Sequence, residues 1–329
     1  MRSVRMSAGV WGKRSTGARG GSVLIVVVWT VILLSVLIAG MGAQGLFALG
    51  VTERISLRLQ ASYIARAGVQ HALQMLAVDP TPSVDGLSDA WAANEPSARQ
   101  PLGAGSFTSS LVDEERALNL NTLPADILLT LLLDVGQVPE EDARRLVEAI
   151  EDWRDPDNDA RPEGAENFYY LGLSDAYEAK NGPLEHLEEL LLVRGMTPAI
   201  YARLAPLLTV YGSGDVNINT AGREVLRALG LSDSGVSGIL VDRAGPDGRE
   251  GSEDDHVITS ASAIEGELAP VVSVEDRQRL VELVQGQLLA VRSEDFQIRV
   301  TATVPGTSTR VQVRCVAHRD GTIKAWAEE

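Results

Sequence analysis

The strongest constraint on this chain is an uncharged stretch from Gly20 to Thr52, most of which is apolar. Within it, Ser22–Ala43 is long enough, at about 1.5 Å per residue, to cross the hydrocarbon core of a bilayer as a helix. Residues 1–21 carry five bases and no acid, and such a basic segment stays in the cytoplasm. The sequence therefore predicts a single-pass anchor, with the N-terminus cytoplasmic and the residues after Gly50 on the other side of the membrane.

The remainder of the chain is strongly acidic. The formal net charge of the whole chain is -16, so the body without its basic segment carries -21. Such a body repels phosphates, which argues against nucleic acid as a partner. The single cysteine, Cys315, excludes an intrachain disulfide framework and a cysteine-rich metal site. We expect it to be a small core residue of a strand.

The boundary between the basic and apolar segments resembles a type IV prepilin-like leader, which ends in glycine before an apolar helix. The expected cut lies between Gly21 and Ser22, and a cut after Gly20 is the alternative. An ordinary signal peptide is disfavoured because its apolar core has only about 7–15 residues, and a plain signal anchor is the other alternative. The acid usual at the fifth mature position of such proteins is replaced by Val26. In an apolar fibre core this would leave an ammonium unpaired, so the subunit suits a special place such as a tip.

Beyond the apolar stretch, residues 53–77 favour an amphipathic continuation of the helix, because apolar side chains recur at intervals of three to five. Asp79-Pro80 ends this pattern. The apolar positions are Ile55, Leu59, Ile64, Val69, Leu73 and Leu76.

Alternating, β-branched segments predict an antiparallel sheet near the two ends of the acidic body. Asp320-Gly321 is a tight-hairpin signal between the last two strands. The predicted strands are Gly105–Leu111, Phe296–Val304, Arg310–His318 and Thr322–Ala327.

Between these strands, residues 117–292 read as helical and contain an internal repeat. Leu118–Thr122 recurs 98 residues later as Val216–Thr220, and a helical pattern follows each copy. Thr122 and Thr220 are candidate N-caps for those helices.

A further helical pair at 184–208 lies between the two copies, and the units resemble helix-hairpin-helix motifs. This resemblance makes a membrane-anchored helix-hairpin-helix DNA-binding protein the alternative function. Acids at Glu140, Glu141 and Asp142 oppose that alternative, because they lie beside the hairpin that would hold a phosphate.

Two acidic clusters are candidate cation sites. Counted from the first aspartate, acids of the first cluster fall at positions 1, 3, 5, 9 and 12, as in a calcium loop. Because position 6 is Ala160 and not glycine, we expect calcium without an EF-hand fold, with a solvated acidic loop as the alternative. The candidate ligands are Asp155, Asp157, Asp159, Glu163 and Glu166, and the weaker second cluster offers Asp247, Glu253, Asp254 and Asp255.

The chain resembles the minor pseudopilin K family of the type II secretion system, also called general secretion pathway protein K. The stretches that carry the resemblance include RGGSVLIVVVW, LNLNT, AIEDWRDPDNDARPEGAENFYYLG, NGPLEHLEELLLVRGMTP and YARLAPLLTVYGSGDVNINTA. The family pattern implies an α+β fold with a long N-terminal pilin-like helix, an antiparallel sheet and a large all-α insertion with helix-hairpin-helix-like repeats. The implied parts are the leader 1–21, the transmembrane and pilin helix 22–78, the pilin-like α/β domain 79–116 and 293–329, and the insertion 117–292.

The resemblance also implies a role without catalysis, in which the protein caps or initiates the pseudopilus tip for export across the outer membrane. The implied partners are minor pseudopilins I and J, other pseudopilins, the prepilin peptidase, and the secretin or exported proteins. The implied location is the bacterial inner membrane, with the body in the periplasm. The resemblance also implies calcium bound in the insertion. A signal-peptide-bearing hydrolase is the remaining rival class, but the sequence contains no nucleophile elbow, P-loop, dinucleotide fingerprint or HExxH motif.

Mass spectrometry of the mature N-terminus, with and without the prepilin peptidase, tests the leader assignment. We expect an N-methylated Ser22 only when the peptidase is active, because the peptidase both cuts and methylates. An intact Met1, or a start near Gln44, would exclude the prepilin-like reading.

Overall fold

The computed structural model describes residues 20–92 and 99–329. The chain forms two compact units, the first ending at Leu57 and the second spanning Arg58–Glu329. The predicted leader lies outside the described residues except for its last two glycines, which stand at the start of the first helix.

One helix is much longer than the others. It begins at Gly20 and ends at Ala77, so the predicted apolar and amphipathic segments belong to one helix. Within it, Val23–Met41 has a mean hydropathy of 2.9 and is, among the described residues, the one stretch long and apolar enough to cross a membrane. The helices are α1 (Gly20–Ala77), α2 (Ala125–Asp134), α3 (Glu140–Arg154), α4 (Asn167–Tyr170), α5 (Pro198–Leu204), α6 (Arg223–Ala228), α7 (Asp233–Arg243), α8 (Ile264–Leu268) and α9 (Val274–Gln285).

Five of the strands form one antiparallel sheet in the order β1-β2-β7-β8-β9. The predicted antiparallel sheet is confirmed, and Cys315 is a buried residue of β8, as expected. The strands are β1 (Gln100–Leu102), β2 (Gly105–Asp113), β3 (Leu118–Asn119), β4 (Leu208–Thr209), β5 (Val216–Asn217), β6 (Leu289–Ala290), β7 (Asp295–Thr303), β8 (Arg310–His318) and β9 (Ile323–Glu328).

The C-terminal part of α1 packs on the inner face of this sheet. A Cβ atom on Gly68 would lie 2.6 Å from Val300 Cγ1, so only glycine allows this close approach. The buried face differs from the predicted one, because Leu59 is exposed and small residues take part in the contact. The buried apolar residues of α1 are Ala61, Ile64, Ala65, Val69, Ala72 and Leu76.

The insertion is not all-α, which corrects the sequence-based expectation. β3 pairs in parallel with β4, and β5 pairs in parallel with β6, in two separate two-stranded sheets. Strands of two residues are too short to show the alternating pattern from which strands are predicted. They form because the chain returns from each helical unit to its own starting point.

The internal repeat is visible in matching hydrogen bonds. Asn121 donates from Nδ2 to Leu184 O over 3.0 Å and accepts at Oδ1 from Leu184 N over 2.7 Å. In the same way, Asn219 donates from Nδ2 to Ile258 O over 2.9 Å and accepts at Oδ1 from Ile258 N over 3.0 Å. Each asparagine therefore holds a distant segment of its own unit with both halves of its amide. Whether the helical pairs are helix-hairpin-helix motifs stays a prediction.

The repeated threonines do not cap the helices that follow. Thr122 donates to Asn119 O over 3.4 Å, and Thr220 donates to Asp113 Oδ2 over 2.6 Å. The N-cap residues are instead Pro124 for α2 and Gly222 for α6, each without a side-chain cap. The helices begin later than the motif suggested, and the hydroxyl groups hold the loops in front of them.

The ends of the insertion are joined by main-chain pairing and buried carboxylates. Glu114 N donates to Asp295 O over 2.9 Å, so the chain leaves and re-enters the sheet at neighbouring positions. Asp113 accepts from Ser293 Oγ over 2.8 Å. The buried side chain of Glu115 accepts from the backbone N–H groups of Glu294 and Asp295, over 3.1 and 3.3 Å. These acids satisfy buried donors on the returning strand.

Burial raises the pKa of Glu115 to about 8 from its ordinary value of 4.5. The folded state therefore favours the protonated carboxyl, and this group lowers the free energy of unfolding as the pH rises from about 4.5 to about 8. Glutamine stays neutral and keeps one oxygen acceptor. We expect Glu115→Gln to flatten the decline of the thermal midpoint over this pH range.

The measurement uses the full-length chain in a neutral detergent at a fixed calcium concentration. Glu265→Gln, which changes an exposed glutamate of α8, is the matched control and should keep the wild-type profile. Identical profiles for wild type and Glu115→Gln would contradict the assignment.

Candidate metal centre

The candidate metal centre begins where α3 ends. α3 has acids in its first turn and buried apolar residues on one face, among them Leu146, Ile150 and Trp153. Its last residue, Arg154, donates to Leu120 O over 2.5 Å and to Leu123 O over 2.8 Å. The chain then turns extended, since the following proline disfavours further helix. The start of the acidic loop, residues 155–166, is thus held in place by the hydrogen bonds of Arg154.

Arg161 fixes the loop against the last turn of α3. Its Nη1 donates to Asp152 Oδ1 and to Asp155 Oδ2, each over 2.6 Å, and Asp152 is fully buried. Gly164 packs against the Asp152 carboxylate, where a Cβ atom would collide with it. Arg161 therefore contacts only Oδ2 of Asp155, and Oδ1 of the same carboxylate receives no hydrogen bond from it.

Three of the predicted ligands come together in this loop. Asp155, Asp157 and Glu166 each offer an oxygen, and these oxygens lie within 4.8 Å of one another. Asp155 Oδ1 and both carboxylate oxygens of Glu166 are buried without a hydrogen-bond partner. The same is true of Oδ1 of Asn181, a residue that the sequence pattern did not identify. Buried oxygens without partners are unfavourable, so their convergence indicates a place for a cation.

Asn181 reaches the loop through a neighbouring segment. Its Nδ2 donates to Asp157 O over 2.5 Å, and its backbone φ of 48° is in the left-handed region, which asparagine tolerates better than most residues. Asn167 braces the same segment by donating to Asn158 Oδ1 over 2.6 Å and accepting from Ala179 N over 2.7 Å. No spacing rule joins Asn181 to the acidic loop, because the two meet only in the fold.

The electrostatics of the cluster favour a positive charge. Burial, followed by the nearby charges of Asp152, Asp155 and Asp157, raises the pKa of Glu166 to about 7. Three carboxylates form an all-oxygen donor set of the kind that hard divalent cations prefer, and Asn181 Oδ1 is a further buried oxygen without a partner. The residues present therefore fit calcium.

The other two predicted ligands of the first cluster point elsewhere. Asp159 is exposed, and its backbone N–H donates to Asp157 Oδ1 over 2.9 Å. Glu163 Oε2 accepts from Arg145 Nε over 3.1 Å, on the surface of α3. The spacing of a calcium loop placed them in the site, but the structure does not bring their carboxylates to the other three.

The second acidic cluster uses its carboxylates within its own loop. Asp254 accepts from Asp247 N over 3.0 Å, and Asp255 accepts from Gly251 N over 2.7 Å. Asp247 accepts from Arg249 N over 2.7 Å. Glu253 is exposed. The described residues show no convergence of three ligand atoms in this cluster, in contrast to the first.

Both acidic loops nevertheless occupy equivalent positions in the repeat. Arg243, the last residue of α7, donates to Ile218 O over 3.0 Å and to Ala221 O over 2.8 Å. These carbonyls lie 98 residues after the two that Arg154 contacts in the first unit. The same arginine anchor therefore precedes each acidic loop, and only the first loop gathers unpartnered oxygens.

The arginines of two hairpin turns make contacts within the protein. The turn before α3 and the turn before α5 line a common cavity of about 340 Å³. Arg145 pairs with acids of α3, and Arg203 donates to Gly136 O over 2.6 Å. Arg194 donates to Gly164 O over 2.9 Å and lies over the ring of Tyr169. These contacts hold the turns together.

Comparison with known proteins points to one family. The family profile described as type II secretion system (T2SS), protein K, matches residues 110–213. Type II secretion system protein K of Aeromonas hydrophila is 26% identical over 333 aligned residues, which cover 93% of this chain and 95% of the relative. The protein of that name from Pseudomonas aeruginosa is 27% identical over 310 residues, which cover 86% and 92%.

A solved structure shares the fold. One chain in the crystal structure of the GspK-GspI-GspJ complex from the type 2 secretion system of enterotoxigenic Escherichia coli matches with a TM-score of 0.67. The sequence identity is 23%, and the match covers 84% of this chain and 96% of that chain. Neither the relatives nor this structure supports the DNA-binding alternative.

Proposed function

The chain belongs to the family of type II secretion system protein K, a family of minor pseudopilins, and from this premise we propose that it caps or initiates the pseudopilus tip. In this role it serves protein export across the outer membrane as a structural component, without catalysis. The observation that carries the proposal is the similarity to protein K relatives over most of the chain.

The proposed location is the bacterial inner membrane, crossed once by the apolar part of α1. The basic segment before it stays cytoplasmic, and the body from Arg58 onward lies in the periplasm. The prepilin peptidase removes the leader and methylates the new N-terminus. This order of segments supports a subunit whose N-terminal helix lies in the membrane and whose body lies in the periplasm.

The tip position follows from two features of the chain. Val26 stands where other pseudopilins have an acid, so a neighbouring ammonium in a repeating shaft would find no partner here. The insertion 117–292 enlarges the periplasmic body far beyond its sheet and α1. We expect these added residues to oppose the stacking of a further subunit.

The proposed partners are minor pseudopilins I and J. The solved structure that shares the fold of this chain is that of a GspK-GspI-GspJ complex. Contacts with other pseudopilins, the secretin and exported proteins belong to the same proposal. The exposed apolar part of α1, Val23–Met41, supports packing with partner helices in the membrane.

Calcium is the proposed cofactor, and its role is structural. Asp155, Asp157, Glu166 and Asn181 would hold it through oxygen atoms. When bound, calcium would supply a positive charge beside the buried carboxylate of Glu166. The ion would thereby hold the acidic loop and the segment around Asn181 together.

Thermal unfolding of the full-length chain, with calcium or with a chelator, tests the site. We expect calcium to stabilise the wild type by about 3 kcal/mol at a hundredfold excess over its Kd. Glu166→Gln should lose most of this effect, because it removes a buried charge and one carboxylate oxygen from the donor set. Asp254→Asn, a matched change in the second acidic loop, should keep it. An equal calcium shift in all three proteins would place the ion elsewhere.

Deletion of 117–292 tests the cap. The ends of the insertion are adjacent, since Glu114 N bonds Asp295 O, so a short linker can replace it. We expect the shortened chain to insert in the membrane, while pseudopilus length or secretion changes. Retention of pseudopilins I and J in pull-downs reports that the remaining part is folded. Unchanged length and secretion would refute the cap.

A further inference from the structure

The outer face of the five-stranded sheet, opposite α1, is open and rich in hydrogen-bond donors. The strands alternate, so that Phe296, Ile298 and Val300 are buried against α1, while polar residues of β2, β7 and β8 point outward. The outward residues line a cavity of about 280 Å³. Its polar lining includes Thr108, Ser110, Arg299, Thr301, Gln312 and Arg314.

Two arginines stand directly opposite each other on this face. Arg299 of β7 and Arg314 of β8 are register partners, and both are exposed. Like charges at directly opposed positions destabilise a sheet. In the part of the chain that the structure describes, neither arginine has a nitrogen within 4.0 Å of a carboxylate oxygen, although the charge of Arg299 favours the ionised form of Glu114. The sheet therefore holds two repelling positive charges without an acid between them.

The cationic surface continues toward the insertion. Arg299 also lines a second cavity of about 410 Å³, whose wall includes Arg116 and Pro206. Two acids border this cavity and accept hydrogen bonds from the protein itself. Asp113 accepts from Thr220 and Ser293, and Glu114 accepts from Thr209 Oγ1 over 2.5 Å. The first cavity is lined by two arginines and no acid, whereas the second has two arginines and two acids, on a chain whose net charge is -16.

We infer that this surface, defined by Arg116, Arg299 and Arg314, docks an extended acidic segment of a partner polypeptide. Carboxylates relieve the repulsion of the two opposed arginines and form charge-assisted, bidentate hydrogen bonds with guanidinium groups. Thr108, Ser110, Thr301 and Gln312 supply further donors and acceptors for a peptide main chain. The strongly negative remainder of the chain disfavours a dense polyanion such as nucleic acid, and selects a segment with a few spaced carboxylates.

Fluorescence anisotropy with the full-length chain in a neutral detergent at physiological salt tests this inference. The probe is a fluorescein-labelled decapeptide of alternating glutamate and threonine, and its control has glutamine in place of glutamate. We expect the double substitution Arg299→Gln with Arg314→Gln to raise Kd for the acidic peptide about tenfold, since both paired guanidinium groups are lost. The glutamine peptide should bind no variant measurably.

Arg310→Gln is the matched control, because Arg310 is an exposed arginine of the same strand that lines neither cavity. It should change Kd less than about twofold, since salt screens charges beyond about 8 Å. Replacing both paired arginines by lysine keeps the charge and should weaken binding to a lesser extent than glutamine. The thermal midpoint of the glutamine double variant should be equal to or above that of the wild type, because a like-charge contact is removed.

The inference is overturned if the glutamine peptide binds as tightly as the acidic one, or if Arg310→Gln weakens binding as much as the double variant. It is also overturned if inorganic phosphate at equal charge concentration displaces the acidic peptide completely, since a simple anion would then be the ligand. A change in oligomer size on substituting the paired arginines, without loss of peptide binding, would assign the surface to a second copy of this chain.

Discussion

The structure depends on how the two ends of a large helical insertion meet in one sheet. Glu114 N bonds Asp295 O, and buried acids beside this pair accept hydrogen bonds from the returning chain. An insertion of this size is tolerated when its ends are adjacent, because the host strands then pair as if joined by a short turn. The carboxylates of Asp113 and Glu115 are accordingly bound to specific donors, and the sheet and the insertion are held in one unit.

The two units of the repeat inside the insertion share the same arginine contacts but have different acidic loops. Arg154 and Arg243 end equivalent helices and hold equivalent carbonyls, and an acidic loop follows each. In the second loop the aspartates accept from nearby backbone N–H groups. In the first loop Asp155 and Glu166 keep oxygens without partners, because the loop and the segment around Asn181 bury them. Composition is similar in the two loops, and the path of the chain decides whether buried oxygens are left without partners.

Most of the fold could be predicted from local patterns, and part of the site could as well. The apolar run, the strands from Gly105 onward and the helical middle were found because each has its own periodicity. The two-residue parallel strands were missed, since pairing between distant segments leaves no local pattern. The spacing predicts five ligands, and the structure brings three of them together, namely Asp155, Asp157 and Glu166. Asn181 has no signal in the sequence, because it meets the acidic loop only in the fold.

The sequence by itself determined the apolar stretch long enough to cross a membrane, the leader pattern and the excess of acids, because hydropathy and charge are properties of single residues summed along the chain. Only the tertiary structure decided which acids stay without partners and which arginines face one another. Hydrogen-bond satisfaction is set by neighbours in space, and Asn181 or Arg314 meets such neighbours only after folding. The candidate cation site and the cationic sheet face are therefore products of chain path, and their residues are scattered along the sequence.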